Sequence, residues 1–329
     1  MFLKQIVMIS LGYAASAGVA IAQTAATGSG QAFPTRTIRA IVPYAPGGST
    51  DVVMRILAPR MSEMLGQQVI VENRPGGSST IGLDIAAKAQ PDGHTIGIAN
   101  VTFCANPSLI RKMPFDSEKD LAPVSFMSLV TLVLSVHPSV PAKSVKDLIA
   151  LAKAQPGVMN YASAGNVSAN HLATERFSSA TGIKMTHVPY KGGGPAVIAL
   201  LSGETALLFA TIPSSIQHFK TGKLRALGVS SLKRSVALPD VPSIAEAAVP
   251  GFEANEWNGA LIASGAPRAA IDRLYQAIAK SAAIPEVRER IIALGAEPVG
   301  NTPDEFGAFI KREFGVWAKI IRDVGIKVE

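Results

Sequence analysis

Residues 41–57, IVPYAPGGSTDVVMRIL, combine the signals of a buried strand, a glycine turn and the start of a helix. The apolar run before Pro43 is typical of a strand, and the stretch from Asp51 onwards has helical periodicity. Between them, Gly47 and Gly48 permit a tight turn and let a ligand touch the backbone, because no Cβ intervenes. The segment therefore predicts a strand–loop–helix unit whose loop lies at the positive end of a helix dipole.

A second segment, MNYASAGNVSANHLATERF at residues 159–177, has the same physical design. Ser168 is a candidate N-cap for its helix. Ser49, Thr50 or Asp51 can cap the first helix in the same way, and we favour Asp51 as a capping residue rather than a chemical group. Each loop is predicted to present free backbone N–H groups that can bind an anion. A glycine turn before a helix also occurs where nothing binds, so a plain turn remains the alternative.

Strand and helix patterns alternate from Thr37 onwards. Such alternation predicts α/β units with mostly parallel sheets. The patterns assign no element to residues 101–124 or 232–267, and they predict three helices between Arg268 and Gly325. The length of the chain favours two domains over one.

The first 22 residues are typical of a secretory signal peptide. One lysine precedes an apolar stretch, and Ala20-Ile21-Ala22 is a small-x-small signal, so we expect cleavage after Ala22, with Ala26 as the alternative. Residues 23–33, QTAATGSGQAF, are predicted to form a flexible leader. Since no later stretch is long and apolar enough to span a bilayer, we expect an exported, periplasmic protein.

Composition excludes several classes of protein. Cys104 is the only cysteine, so stability must come from a hydrophobic core rather than from internal disulfides. The chain has 31 basic and 24 acidic residues and a net charge of +7, but the basic residues are scattered. Nucleic-acid binding requires a clustered basic surface, so we expect no nucleic-acid partner.

Signatures of enzymes and cofactor sites are missing from the sequence. There is no P-loop, dinucleotide fingerprint, G-x-S-x-G elbow or H-E-x-x-H motif. The five histidines fall at no metal-ligand spacing, so we predict no metal, no cofactor and no catalytic residue. His171, one turn into the second helix, is interpreted as a structural hydrogen-bonding group near the ligand. Lys191 is either an anion contact or a solvated lysine.

The order of segments resembles the Bordetella uptake gene (Bug) proteins, which are extracytoplasmic solute receptors of tripartite tricarboxylate transporter systems. The resemblance runs from about Phe33 to Lys327 and includes IVPYAPGGSTD, VIVENRPGGSSTIG, AKAQPDGHTIGIAN, NYASAGNVSANHLATERF, HVPYKGGGPA and LPDVPSIAEAAVPGFEANEWNG. It implies an α/β, two-domain periplasmic-binding-protein fold of type II, with a ligand cleft between the domains. Domain 1 is then expected to comprise residues 34–130 plus 255–329, and domain 2 residues 131–254.

The resemblance also implies where a ligand binds. Family members hold a ligand carboxylate mainly through backbone amides and ordered waters. The positions that match the family's cleft, together with His171, are Tyr44, Pro46, Gly47, Gly48, Ser49, Thr50, Asp51, Ser78, Ser79, Asn100, Thr102, Ser163, Ala164, Gly165, Asn166, Ser168, Phe209, Ala210 and Thr211.

Two departures from the family pattern affect the ligand more than the fold. Thr102 is followed by Phe103-Cys104-Ala105, where the family often has a T-H-A-I-N-P-like run. Ala210 occupies a position where the family often has an aspartate. Because that aspartate can contact a ligand amine or hydroxyl, its absence argues against an amino-acid ligand.

The leading hypothesis is a monomeric periplasmic receptor for a small carboxylate. The ligand is expected to be a di- or tricarboxylate, or an aromatic carboxylate, that the receptor delivers to the membrane subunits of a tripartite transporter. One alternative is a ligand-binding accessory to a two-component sensor. Another is an exported hydrolase with Ser49, Ser163 or Ser168 as its nucleophile. The sequence pairs no base with any of these serines, which disfavours the hydrolase.

Overall fold

The computed structural model describes residues 33–190 and 192–325. The predicted signal peptide, the predicted leader up to residue 32 and Lys191 lie outside the described residues. The strands are β1 (Ile38–Val42), β2 (Val69–Asn73), β3 (Thr95–Ala99), β4 (Leu121–Val130), β5 (Leu132–Val136), β6 (Asn160–Ser163), β7 (Thr186–Pro189), β8 (Leu207–Thr211), β9 (Arg225–Val229), β10 (Glu256–Ala263) and β11 (Ala296–Pro298).

The helices connect these strands and cover their faces. They are α1 (Ser49–Leu65), α2 (Thr80–Ala87), α3 (Val101–Leu109), α4 (Val145–Ala154), α5 (Ala169–Thr181), α6 (Gly193–Leu201), α7 (Ile212–Lys220), α8 (Ile244–Ala247), α9 (Arg268–Ala283), α10 (Pro285–Ala293) and α11 (Pro303–Val324), with a short 3-10 helix at Gly77–Ser79. Within the described ranges, no helix has the length and apolar character needed to cross a membrane.

The strands of the described residues form two sheets. The first has the strand order β11-β4-β10-β3-β1-β2, and the second has the order β7-β6-β8-β5-β9. Residues of α1, α9 and α10 share one apolar cluster with the first sheet, and residues of α2, α3 and α11 share another. The first sheet is therefore buried on both faces, which explains why β1 and β3 are continuous apolar runs.

The expectation of mostly parallel sheets is wrong. Three pairings in the first sheet and two in the second are antiparallel, against two parallel pairings in each. The reason lies in the path of the chain. It leaves the first sheet through β4, which runs directly into β5, and it returns through β10, which lies beside β4 in the opposite direction.

Ser230 connects the outgoing and the returning segments. Only Thr131 separates β4 from β5, and the return passes through Ala254 and Asn255. The Ser230 hydroxyl accepts the Leu132 N–H at 2.9 Å and donates to Asn255 Oδ1 at 2.8 Å. Its backbone N–H donates to the Leu132 carbonyl at 2.9 Å, and its carbonyl accepts the Ala254 N–H at 3.0 Å. The two crossings are thus fastened side by side.

The division of strands follows these crossings. Every strand of the first sheet lies within residues 34–130 or 255–329, and every strand of the second lies within residues 131–254. Whether these two parts are domains that move separately stays a prediction.

The sequence patterns missed β10, although all eight of its residues are buried. Glu256 and Asn258 interrupt the apolar run that marks a buried strand. Burial is possible because both side chains are hydrogen-bonded. Gly259 is needed for packing, since a Cβ there would lie 2.1 Å from the Phe306 ring. The patterns also missed α3, whose helical signal is weakened by Pro107.

Candidate functional site

The first loop, Tyr44–Thr50, joins β1 to α1. Gly47 has a φ of +84°, in the region that favours glycine. Gly48 is the N-cap residue and, having no side chain, makes no side-chain cap bond. The backbone N–H groups of Ser49 and Thr50 find no acceptor in the described part of the chain. The helix therefore presents unpaired donors at its positive end, as an anion site requires.

The start of α1 differs from the sequence prediction. Ser49, Thr50 and Asp51 all lie inside the first helical turn, and the cap is Gly48. None of the three predicted candidates is therefore the N-cap residue. A glycine cap is only slightly less favourable than a side-chain cap, and it leaves the first-turn donors free.

Asp51 instead stabilises the loop from within the helix. Its carboxylate accepts the Gly47 N–H at 2.9 Å, the Arg55 guanidinium at 2.9 Å and the Asn73 side-chain amide at 2.9 Å. Asn73 also donates to the Tyr44 carbonyl at 3.1 Å. Burial raises the pKa of Asp51, but the bonds from Arg55, Gly47 and Asn73 outweigh it and hold that pKa below its ordinary value.

The two hydroxyls of the first loop face protein acceptors. Ser49 donates to Glu256 Oε1 at 2.5 Å, and Thr50 donates to Asn258 Oδ1 at 2.6 Å. The Asn258 side-chain amide in turn donates to Ser128 Oγ at 3.2 Å. Both hydroxyl protons are therefore used within the protein, and the free donors of this loop are backbone groups.

Four of the predicted residues form one polar network beside the first loop. The Tyr44 hydroxyl donates to Asn100 Oδ1 at 2.5 Å and lies 2.7 Å from Thr102 Oγ1. Thr102 Oγ1 lies 3.1 Å from Ser79 Oγ, and Asn100 caps α3 by accepting the Thr102 N–H at 3.0 Å. Burial raises the pKa of Tyr44 well above its ordinary value, so the phenol stays protonated.

Backbone strain marks the turn before α2. Ser78 and Ser79 have φ values of +51° and +75°, which non-glycine residues rarely adopt. Asn106 on α3 supports this turn, because its side-chain amide donates to the Ser78 carbonyl at 2.7 Å. Strained residues of this kind cluster at ligand sites, where the surrounding structure maintains them.

Sequence reasoning missed Glu256, the first residue of β10. Its carboxyl is buried and accepts bonds from Ser49 and, at 3.4 Å, from the Asn100 side-chain amide. Burial raises the pKa of Glu256, while the bonds from Ser49 and Asn100 oppose that rise. The segment around it carries no periodic pattern, so only its long-range contacts reveal it.

The second loop, Ser163–Ser168, joins β6 to α5 and uses its own donors. The Gly165 N–H donates to Ser163 Oγ at 3.1 Å, and the Ser168 N–H donates to the Gly165 carbonyl at 3.2 Å. Ser168 caps α5 by accepting the His171 N–H at 3.4 Å, which confirms the predicted cap. Of the remaining loop residues, Asn166 is exposed and Ala164 is half-buried.

Two histidines lock the second loop. His171 Nδ1 accepts the Val167 N–H at 3.0 Å and so holds Val167, a buried residue with a φ of +62°. The His171 and His187 rings stack with centroids 4.0 Å apart and planes 5° apart. Burial, with a smaller effect of His187, lowers the pKa of His171 to about 3, and burial lowers that of His187 to about 4. Both rings are therefore neutral at neutral pH.

Ser163 has a base beside it, contrary to the sequence analysis. Its Oγ lies 2.6 Å from His187 Nε2. The serine is, however, fully buried, and it also lies 3.0 Å from the Gly165 carbonyl. Since a nucleophile must reach its substrate, this pair is explained better as part of the loop's internal bonding.

The three predicted residues at the end of β8 differ in their surroundings. The Phe209 ring lies in the core of the second sheet against Phe177 and Phe252, and Ala210 is also buried. The Phe209 carbonyl accepts the Asn170 side-chain amide at 2.5 Å. Only Thr211 lines an open cavity.

That cavity lies between the first loop and the start of α7. Its volume is about 310 Å³, within the range of small-molecule sites. Residues from both sheets line it: Gly47, Ser49, Val52, Val53, Val130, Thr211, Pro213, Ser214, Leu294 and Ala296. Its walls are mostly apolar, and the first loop supplies backbone donors at its edge. In the described part of the chain, no cluster of three His, Cys, Asp or Glu side chains is suited to a metal ion.

Comparison with known proteins gives a consistent result. A family model described as the tripartite tricarboxylate transporter family receptor matches residues 53–326. BugT from Bordetella pertussis is 38% identical over 313 residues, which are 94% of this chain and 96% of BugT.

Two similar solved structures contain ligands. Rpa4515 from R. palustris, solved with adipate, is 34% identical with a TM-score of 0.80, and the match covers 90% of this chain and 99% of that one. MatC from Rhodopseudomonas palustris, solved with bound malate, is 28% identical with a TM-score of 0.77 and coverages of 88% and 100%. These similarities, together with the two sheets, confirm the predicted α/β periplasmic-binding-protein fold.

Proposed function

Because the chain belongs to the receptor family of the tripartite tricarboxylate transporters, we propose that it captures a small carboxylate in the periplasm and delivers it to the membrane subunits of such a transporter. The family and its structural neighbours are solute-binding receptors rather than enzymes, so the hydrolase alternative is not retained.

The N-terminus of α1, which has no side-chain cap bond, carries this proposal. Ser49 and Thr50 offer backbone N–H groups to the space that Gly47 and Gly48 leave open. A hydrogen bond to a charged group contributes about 1.5–3 kcal/mol, and a free energy of about −8 kcal/mol corresponds to micromolar affinity. Two or three such bonds, with apolar contacts in the adjacent cavity, can reach that range after the cost of association.

The other predicted residues have supporting places in this proposal. The network of Tyr44, Asn100, Thr102 and Ser79 supports the first loop from beside it. Thr211 lines the same cavity as Gly47 and Ser49.

We further propose that residues 34–130 plus 255–329 and residues 131–254 are two domains that close on the ligand. The crossings at Thr131 and Ala254–Asn255 would be the hinge, since these segments join the sheets. Solution scattering tests this motion. We expect a smaller radius of gyration at saturating ligand, and an unchanged radius would argue against closure.

A thermal-shift screen tests the ligand class. The neighbours solved with adipate and malate make dicarboxylates the first candidates, followed by tricarboxylates and aromatic carboxylates. A ligand at 100 times its Kd stabilises by about 2.7 kcal/mol, which raises the melting temperature by roughly 4 °C for a chain of this size. The diamide of adipate is the matched neutral control. If no carboxylate shifts the melting temperature at millimolar concentration, the proposal fails.

Location and use of the receptor need separate tests. We expect a periplasmic fraction whose mature chain begins at Gln23, and N-terminal sequencing checks this. A full-length chain in the cytoplasm would contradict it.

The sensor alternative differs in its genomic neighbours, which would encode a two-component pair instead of transporter membrane subunits. Monomeric behaviour also stays a prediction, which light scattering can check.

A further inference from the structure

Glu256 is a buried carboxyl beside the first loop, and it has no counter-ion. It is 7% exposed and begins β10, directly after the return crossing. Its two hydrogen-bond donors, the Ser49 hydroxyl and the Asn100 amide, are neutral. In the described part of the chain, no Lys, Arg or His forms an ion pair with it. A carboxyl in such surroundings strongly disfavours its ionised form.

One oxygen of Glu256 remains available. Both donors bond to Oε1, whereas Oε2 has no hydrogen-bond partner among the described residues. Unlike Asp84 Oδ1 and Asn106 Oδ1, Oε2 is not sealed from solvent. An oxygen that is neither bonded nor sealed, on a residue that contacts Ser49, is placed to meet a molecule bound at the first loop.

Other titratable groups on the surrounding elements do not compensate a charge on Glu256. Tyr44, in the first loop, lies near it, and a charge on Glu256 contributes to the raised pKa of this phenol. On α1, the Asp51 carboxylate is bonded to Gly47, Arg55 and Asn73. Before β10, Glu253 accepts from the Asn255 side-chain amide. All three groups are acidic, so none favours ionisation of Glu256.

We propose that Glu256 determines the specificity of the carboxylate site by binding a proton together with the ligand. This inference rests on the proposed function. As the ligand carboxylate reaches the first-loop N–H groups, one proton passes from solvent to Glu256 Oε2, which then donates a hydrogen bond into the site. The protonated carboxyl can donate a hydrogen bond to a neighbouring anion. An ionised Glu256 would instead repel an anion and attract an ammonium group. Burial already raises the pKa of Glu256, and a bound anion raises it further.

Isothermal titration calorimetry between pH 6 and 9 tests this coupling, with adipate as the probe. If adipate does not bind, the tightest carboxylate from the thermal-shift screen replaces it. Titrations in HEPES and in Tris, which differ in ionisation enthalpy, count the protons bound with the ligand. For the wild type above the pKa of free Glu256, we expect uptake approaching one proton and a tenfold weaker Kd per pH unit, whereas below that pKa the carboxyl is already protonated and uptake falls to zero. Glu256→Gln, a neutral isostere, should take up none, have a flat profile, and bind at least tenfold more tightly than wild type at pH 9.

Glu313→Gln is the matched control. Glu313 on α11 is also a carboxyl whose pKa burial raises, but it bonds to Trp317, away from the first loop. Its variant should keep the pH slope and the proton uptake of the wild type. The proton count on the wild type needs no variant, so a folding defect in Glu256→Gln does not remove the test.

The outcomes separate this inference from the proposed function. Tight carboxylate binding with no proton uptake anywhere between pH 6 and 9, or an unchanged pH slope in Glu256→Gln, overturns the role of Glu256 alone. Tighter binding of 2-aminoadipate than of adipate, lost in Glu256→Gln, would identify an ionised ammonium acceptor and also overturn it. A wild type that binds no carboxylate overturns the proposed function, and this inference with it.

Discussion

The two loops at helix N-termini share a strand–turn–helix design but use their backbone donors differently. In the first loop the cap is Gly48, and the N–H groups of Ser49 and Thr50 have no acceptor in the described part of the chain. In the second loop the cap is Ser168, which accepts the N–H of the third helical residue, His171, whereas the third N–H of α1, that of Asp51, has no acceptor among the described residues. The N–H groups of Gly165 and Val167 are also bonded to side chains, so α5 keeps only its first two donors, Ala169 and Asn170, free in the described ranges. The first loop therefore has more unpaired backbone donors than the second, in which side chains hold the backbone in place.

The comparison indicates that the cap side chain, more than the glycine content, determines how many first-turn N–H groups a helix leaves free for a ligand. A serine cap satisfies one first-turn donor internally, whereas a glycine cap leaves it free. In the second loop, Ser163 and His171 satisfy two further donors. We therefore expect the first loop to provide most of the affinity and the second to provide a fixed surface.

The largest expected effect comes from filling the space at the first loop. A Cβ on Gly48 would meet only the Ala45 carbonyl, at 3.6 Å, so Gly48→Val should fold normally. The larger side chain would block approach to two backbone donors. Losing two bonds of about 1.5 kcal/mol each weakens binding roughly 100-fold. Calorimetry with adipate measures this.

A control for that variant is Gly315→Val on α11, where the structure leaves open space around the glycine. It should leave adipate affinity unchanged. Equal affinity of Gly48→Val and the wild type would show that the first loop does not hold the ligand.

The second prediction concerns the stability of the second loop. His171→Leu removes the acceptor of the buried Val167 N–H. An unsatisfied buried donor costs about 1–3 kcal/mol, so the free energy of unfolding should fall by that amount. The affinity for adipate should change little. Urea unfolding measures the change. His171→Asn keeps an acceptor near the Nδ1 position and should recover much of the loss. A larger loss of affinity than of stability would mean that the second loop also binds.

The third prediction is a decline of stability in acid. The folded pKa values of His171 and His187 are about 3 and about 4, below the ordinary value of 6.5. Between these limits the unfolded chain binds more protons than the folded one, so stability is full above pH 6.5 and falls as the pH drops towards 4. Urea unfolding from pH 7.5 to 4.5 measures the slope.

The matched variants for this slope are His171→Asn and His218→Asn. His171→Asn should make the fall of unfolding free energy with pH shallower. His218→Asn, in the last turn of α7, should leave that slope unchanged. Identical slopes in the wild type and His171→Asn would contradict the assignment.

How much of this was predictable from the sequence depends on the range of the contacts. The strand–turn–helix units and the Ser168 cap are local, and their patterns predicted them. Pairing of donors is not local: His187 follows Ser163 by 24 residues, and Glu256 follows Ser49 by 207. The sequence patterns therefore predicted the same design for both loops. They predicted no strand at β10, because the polar residues of that strand find their hydrogen-bond partners far away in the sequence.

The smallest expected effect comes from Asp51→Asn. The change weakens the bond to the Gly47 N–H and the ion pair with Arg55, whose side chain is 50% exposed. Because the Arg55 side chain is half-exposed and Asn at position 51 can still accept one of the bonds, we expect a loss of about 0.5–1 kcal/mol in unfolding free energy and a few-fold loss of adipate affinity. Thermal unfolding and calorimetry check both. An affinity loss as large as that of Gly48→Val would indicate that Asp51 contacts the ligand itself.

The most direct test of the central claim is amide NMR of the uniformly ¹⁵N-labelled protein during titration with adipate, or with the tightest carboxylate found by the thermal-shift screen. Hydrogen bonds from backbone N–H groups to a carboxylate move the amide proton resonances downfield. The account predicts that the largest downfield shifts occur at Ser49 and Thr50, and that Gly165 and Val167, whose donors are already bonded, change little. Large downfield shifts at Gly165 and Val167, with none in the first loop, would contradict it.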